Sequence, residues 1–193
     1  NQAVLDNSAN ALRQTSTLGK MNDPFLVKVR VSSEGEAMRN ALRAALQHNP
    51  VYLGGVSLGG RREIRKDWAD QITQFARDCV GVVSERDLVD RIGAISDSLS
   101  QRHEHALRGG RLRFGTSQKA LNLYLKLLWR LGKIARPPHC PVDRIVLRYA
   151  GITGSWTSSD SVDEYLEWIR GLEKAAEPMH VADWEYELWN KSA

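Results

Sequence analysis

Apolar residues recur every three or four positions through most of this chain, the spacing of helices that each bury one face. Ile64, Trp68, Ile72, Phe75 and Ala76 form one such stripe within a helix predicted over 63–80. Leu88, Val89, Ile92, Ile95 and Leu99 form another, opened by the capping run Ser84-Glu85-Arg86-Asp87 and continuing toward His105. Ser33 with the nearby Glu36 starts a helix over 37–47 that Asn49-Pro50 ends. Residues 160–176 read as an acidic helix with Val162, Tyr165, Leu166, Ile169 and Leu172 on its apolar face, and 181–190 as a last helix with Trp184, Leu188 and Trp189. A modest amphipathic helix is predicted over 1–19. Only Phe25-Leu26-Val27-Lys28-Val29-Arg30-Val31 is rich in β-formers and alternates, which predicts an extended strand or half of a hairpin.

One predicted helix differs from the rest. From Ser117 to Leu131, apolar residues (Leu121, Leu123, Tyr124, Leu125, Leu127, Leu128, Leu131) cover most of the circumference, while Lys119, Asn122, Lys126, Arg130 and Lys133 share one stripe. This is the pattern of a helix buried on most sides with a single wet cationic edge. About seven helices with at most one short strand pair predict an all-α, or mostly α, multi-helix domain. The 193 residues suit one helical domain over the whole chain, with room for two subdomains and a cleft near 115–143.

Composition narrows the class. Hydrophobic residues at 42%, charged residues at 26% and six Trp belong to a globular protein and exclude a disordered one. Two cysteines, Cys79 and Cys140, support neither a disulfide framework nor a four-thiolate metal site, so a reducing, intracellular and cytoplasmic setting is expected. No run approaches the roughly 18 apolar residues of a membrane span, and the start lacks the charged and apolar regions of a signal peptide; no membrane association is expected.

Charge is distributed unevenly. From Arg102 to Arg148 eleven Lys or Arg stand against two acids, a local +9 in a chain of net +4, whereas nine acids face three bases from Asp160 onward. A cationic segment attracts polyanions because each neutralised phosphate releases condensed counterions. Phe114-Gly115-Thr116-Ser117-Gln118 reads as a Gly-bearing turn opening a helix, which would add backbone N–H donors at the positive end of a dipole. Arg111, Arg113, Gly115, Thr116, Ser117, Gln118, Lys126 and Arg144 are therefore the candidate nucleic-acid contacts. Gly54-Gly55-Val56-Ser57-Leu58-Gly59-Gly60-Arg61-Arg62 reads as an interhelix linker, or alternatively as a phosphate-contacting loop, although no G-K-[ST] pattern is present.

Gly115-x-x-x-Lys119-Ala120-x-Asn122, followed by Pro141-Val142-Asp143-Arg144, resembles the signature of the helix-hairpin-helix DNA glycosylase superfamily. There a G-x-G-x-K-x-A-like hairpin precedes a V-D-x-H-like turn into a helix. The resemblance covers about a sixth of the chain. Ser117 stands at the second hairpin Gly, Arg144-Ile145 at the residues after the Asp, and the Fe–S cysteine cluster of some members has no counterpart. It implies duplex DNA as partner, a helix-hairpin-helix-like element, Lys119 as a nucleophile toward C1′ of a flipped-out damaged nucleotide, Asp143 as the assisting carboxylate, and no cofactor.

Each candidate has a plainer reading. Lys119 is otherwise one more charge on the stripe, and Asp143 a carboxylate in the first turn of a helix, where the dipole favours it. Asp143 is the only acid between Glu104 and Asp160, so it either pairs with a cation such as Arg144 or Arg148 or does chemistry. His103, His105, His139 and Cys140 have metal-ligand side chains, but His-x-His places its rings on opposite sides of a helix, and structural roles are expected with no metal. Core packing is expected for most of the Trp; Trp129 and Trp156 are the two placed to stack on bases. The leading expectation is a base-excision enzyme of glycosylase/AP-lyase type. The alternatives are a non-catalytic nucleic-acid-binding or regulatory module, and a helical protein-interaction domain whose basic face meets an acidic partner of unknown identity.

Overall fold

The computed structural model describes residues 23–78 and 82–191, so the helix predicted over 1–19, and Cys79, lie outside the described residues. Among these residues there are eight α-helices and no strands, and the all-α expectation holds. They are α1 (Pro24–Val29), α2 (Glu34–Leu46), α3 (Leu58–Asp78), α4 (Glu85–His103), α5 (Phe114–Arg130), α6 (Arg144–Tyr149), α7 (Val162–Ala176) and α8 (Val181–Lys191). None of them is long and apolar enough to cross a membrane.

The core is built around α5. Every side chain from Phe114 to Leu128 is buried. It packs on α2 and α4; α3 lies against α4, and α8 against α7 and α1. The stripes read from the pattern face this core: Ile64, Trp68, Ile72, Phe75 and Ala76 on α3, and Leu88, Ile92, Ile95 and Leu99 on α4, are all buried. Between α4 and α5, residues Glu104–Ala106 and Arg108–Gly110 form two 3₁₀ turns. Ser96 Oγ donates to the Leu112 carbonyl at 2.6 Å, and Ser100 Oγ accepts from the Leu112 N–H at 3.0 Å, which ties this connection back onto α4.

The strand expected over 25–31 is a helix. Asp23 caps α1, its Oδ1 accepting from the N–H groups of Phe25 (2.9 Å) and Leu26 (3.3 Å), and Pro24 supplies a preset φ at the first position. Arg30 then turns left-handed at φ 55° and ends it. An Asp-Pro start and the burial of Phe25 and Leu26 outweigh the β-propensity of the Val residues. The glycine run also differs from expectation: Gly54 and Gly55 make a turn, but α3 begins at Leu58, so Gly59, Gly60, Arg61 and Arg62 are helical. Ser57 Oγ accepts the Gly60 N–H at 3.1 Å, which explains the early start. Among the described residues the one extended pairing is an isolated bridge between Tyr52 and Leu107.

Candidate functional site

The polar residues of the Gly115–Asn122 motif join α5 to the segment 139–143. Gln118 sits fully buried and exchanges two hydrogen bonds with one residue, donating to the Val142 carbonyl at 2.7 Å and accepting the Val142 N–H at 3.2 Å. Asn122 donates from Nδ2 to the Cys140 carbonyl (3.3 Å) and the Tyr165 hydroxyl (2.9 Å). This clamp presents the next residue, Asp143, to Lys119. Lys119 Nζ lies 2.6 Å from Asp143 Oδ2, with both side chains buried. Asp143 also caps α6, its Oδ1 accepting the N–H groups of Ile145 and Val146 at 2.9 Å each. Burial pushes the carboxyl's pKa up, but the charge and hydrogen bond of Lys119 and the two backbone donors outweigh it and hold Asp143 below the ordinary Asp value.

The expected wet cationic edge is instead a row of ion pairs, buried at Lys119 and Lys126 and open to solvent at Lys133. Lys119 meets Asp143, Lys126 meets Glu185 at 2.6 Å, Arg130 meets Asp23 at 2.5 Å and Lys133 meets Glu34 at 3.7 Å. Each acid comes from a different element, and apart from Lys119 with Asp143 no spacing in the sequence connects the partners. Burial lowers the Lys126 pKa, with Glu185 opposing and Lys119 reinforcing the shift.

At the start of α5 the backbone donors and Arg111 are likewise taken by groups of the chain itself. The Phe114 N–H donates to Asp160 Oδ1 at 3.0 Å and the Gly115 N–H to the Ser159 carbonyl at 3.0 Å, so a carboxylate of the chain itself takes the positive end of this dipole. Arg111 pairs with Asp160 and, at 3.1 Å, with Asp97; Arg113 lies 3.8 Å from Asp160. Thr116, Ser117 and Gln118 are buried: Thr116 Oγ1 accepts from Asn49 at 2.9 Å, and Ser117 Oγ donates to the Ile92 carbonyl at 3.0 Å. Gly115 is required by packing, since a Cβ there would stand 1.8 Å from the Trp156 carbonyl oxygen. Of the candidate contacts, Arg113 and Arg144 are exposed.

Lys119 and Asp143 open onto a cavity of about 320 Å³ whose walls include Phe25, Leu123, Trp156 and Trp189 together with Lys126 and Glu185. A shallower depression of about 540 Å³ shares Asp143, Ile145 and Trp156 with it and carries Arg144, Ser155 and Thr157 on its rim. Trp156 is thus the one of the two singled-out tryptophans that reaches a cavity; Trp129 packs edge-on to Tyr186 and under Arg130. Phe25 and Trp189 come from the first and last described helices, and nothing in their local sequence marks them as neighbours.

Sequence reasoning also missed a basic groove. Arg39 and Arg43 on α2 face Arg62, Arg65 and Lys66 on α3 across a groove of about 1100 Å³ with no acid in its lining. Lys66 pairs at 2.7 Å with Asp70, outside that lining. The readable signal was the four-residue spacing of Arg39 and Arg43 on the polar side of a predicted helix.

His103 and His139 have structural partners. His103 Nε2 lies 3.1 Å from Asp67 Oδ2. His139 lies 2.8 Å from the Tyr165 hydroxyl, and burial, opposed by Glu85 and reinforced by His180, lowers its pKa to about 4. A His kept neutral in the fold and charged in the unfolded chain costs stability as pH falls: its contribution is complete above the unfolded value near 6.5 and is lost progressively toward 4. Urea unfolding at pH 7 and pH 4.5 should differ by up to about 3 kcal/mol from this residue, and the difference should shrink in His139→Gln.

Comparison of the chain with protein-family models, curated proteins and solved structures gives no match.

Proposed function

We propose that this protein binds duplex DNA and excises a modified base from a nucleotide flipped into the cavity beside Lys119 and Asp143. The observation that carries the reading is the meeting of these two residues, 24 positions apart, as a 2.6 Å buried pair on the wall of an aromatic-lined cavity. Such a cavity suits a planar heterocycle, and a flipped base is read by stacking and edge contacts.

The chemistry runs through the pair. Proton transfer from Lys119 to Asp143 leaves a neutral amine and a carboxylic acid. The amine attacks C1′, the C1′–N bond breaks with its electron pair leaving on the base, and the proton held by Asp143 neutralises that base. Asp143, ionised again, takes a proton from Nζ and passes it to O4′ as the C1′–O4′ bond breaks with its electron pair on O4′, which gives an imine between Lys119 and C1′ that borohydride reduces to a stable link. Borohydride trapping on duplexes carrying a panel of damaged bases and an abasic site therefore tests the reading.

A second reading, nucleic-acid binding without chemistry, draws on the groove between α2 and α3, whose cations are not neutralised by acids in its lining. Both readings place the phosphate contacts on this groove, on Arg113 and on Arg144, and not on Arg111, which Asp97 and Asp160 already hold. Duplex affinity should fall steeply with salt, and Arg39→Ala with Arg62→Ala should flatten the slope by about one unit per lost phosphate contact. Arg111→Ala should leave the slope nearly unchanged; the reverse pattern in a salt titration rules out the groove.

A further inference from the structure

The groove between α2 and α3 has an apolar floor that phosphate contacts leave unused. Met38, Leu42 and Leu46 stand four residues apart on α2 and so form one stripe along the groove, with Ala69 contributed by α3. Met38 and Leu42 are buried, Leu46 and Ala69 half-buried. The cations run beside this stripe, Arg39 and Arg43 on one wall, Arg62, Arg65 and Lys66 on the other. Among the described residues the four arginines have no carboxylate at ion-pair distance, in contrast to the cations along α5. Arg62 and Arg65 each donate from Nε to a carbonyl of α3 itself, that of Leu58 at 3.3 Å and that of Arg61 at 3.1 Å. A guanidinium has five N–H donors, so most of this capacity stays open. Like charges along both walls repel one another, and an anionic occupant relieves the repulsion. Duplex phosphates meet guanidinium tips and gain nothing from leucine or methionine side chains. An occupant that is acidic on its flanks and apolar between them uses the whole groove.

We propose that this groove is the docking site of an acidic amphipathic helix from a partner protein, and that the seated helix keeps duplex DNA out of it. The stripe from Met38 to Leu46 is roughly 12 Å long, so two to three helical turns cover it. Apolar side chains of the partner at i, i+3 or i+4, and i+7 lie along the floor. Its Asp or Glu residues on either flank meet the two walls in charge-assisted bonds, and the methylene stems of the arginines pack on the helix sides. An extended acidic tail would neutralise the same cations but leave the floor wet, so the floor selects the helix. Gln47 lines both this groove and the cavity that holds Lys119, and a helix seated along α2 therefore ends beside that cavity. Docking rests on the groove alone. The exclusion of DNA rests on the phosphate contacts proposed above, and gives the base-excision reading a competitive regulator.

The test uses the full chain and two fluorescent synthetic peptides of about 16 residues, long enough to hold a helix. Both have the same leucines and glutamates; in one the leucines form a single stripe, in the other they are spread around the helix. By anisotropy the striped peptide should bind about tenfold or more tightly than the reordered one, because only it covers the floor. Unlabelled striped peptide should displace a labelled duplex. Leu46→Ala should weaken the striped peptide about fivefold and leave duplex affinity unchanged, whereas Arg39→Ala with Arg62→Ala should weaken both. Should Leu46→Ala fail to fold, Ala69→Gln, which obstructs the floor without changing charge, replaces it. Equal affinities for the two peptides, no binding of the striped one at about 100 µM, or full affinity in whichever floor variant folds overturns the docking. Peptide and duplex bound together overturn the exclusion. Peptide binding with no duplex affinity sinks the nucleic-acid readings and the exclusion while docking stands, and duplex binding with no peptide binding sinks the docking alone.

Discussion

Lys119→Gln should abolish the borohydride-trapped complex with an abasic or damaged duplex while duplex affinity changes little. The amide cannot form an imine with C1′, so the covalent route closes. Lys119 is 6% exposed and faces a cavity beside α5, whereas the unneutralised cations lie between α2 and α3. The phosphate grip therefore survives the substitution. Asp143→Asn separates charge from architecture, because Asn caps helices about as well as Asp and can still accept the N–H groups of Ile145 and Val146. What it removes is the proton acceptor 2.6 Å from Lys119 Nζ. Base release should slow by about 10²- to 10⁴-fold, the range for losing a positioned general acid or base, with binding little affected. Single-turnover release assays on the substrate found by trapping make the comparison. Release at the wild-type rate in both variants leaves the non-catalytic reading standing.

Gly115→Ala should destabilise the protein by roughly 3 kcal/mol, at the upper end for an overpacked position. The new Cβ would lie 1.8 Å from the Trp156 carbonyl oxygen and 2.8 Å from its carbonyl carbon, both backbone atoms that no rotamer change can move. To relieve the clash the 156–159 segment has to retreat from α5, breaking the Gly115 N–H bond to Ser159 and carrying Trp156 off the cavity wall. Gly59→Ala is the control: its Cβ meets only Ser57 Oγ at 3.7 Å, so replacing a helical glycine should be neutral or stabilising by up to about 1 kcal/mol. Denaturant unfolding compares the two. A stable Gly115→Ala protein whose only defect is weaker DNA binding would return this glycine to the phosphate-contact role that its sequence first suggests.

The pattern of apolar positions by itself determined the helical class, the buried faces of α3 and α4, the caps at Ser33 and Ser84, and the near-complete burial of α5. These are local properties: a 3.6-residue period and a capping hydroxyl act within a few residues of where they are read. The Lys119 and Asp143 pairing was legible through a spaced motif, although spacing cannot say that Gln118 and Asn122 would clamp residues 140–142 and so bring the pair together. Only the tertiary structure decided which charges stay available. Lys126, Arg130 and Lys133 look like a solvated stripe because nothing near them in sequence is acidic, yet Glu185, Asp23 and Glu34 reach them from three other elements. The start of α5 looked like an anion site until Asp160, from the loop before α7, filled it. A helix dipole or a cation specifies only the sign of its partner. Which partner arrives is set by packing of distant apolar faces, and that packing also brings Phe25 and Trp189, from the first and last described helices, to the same cavity.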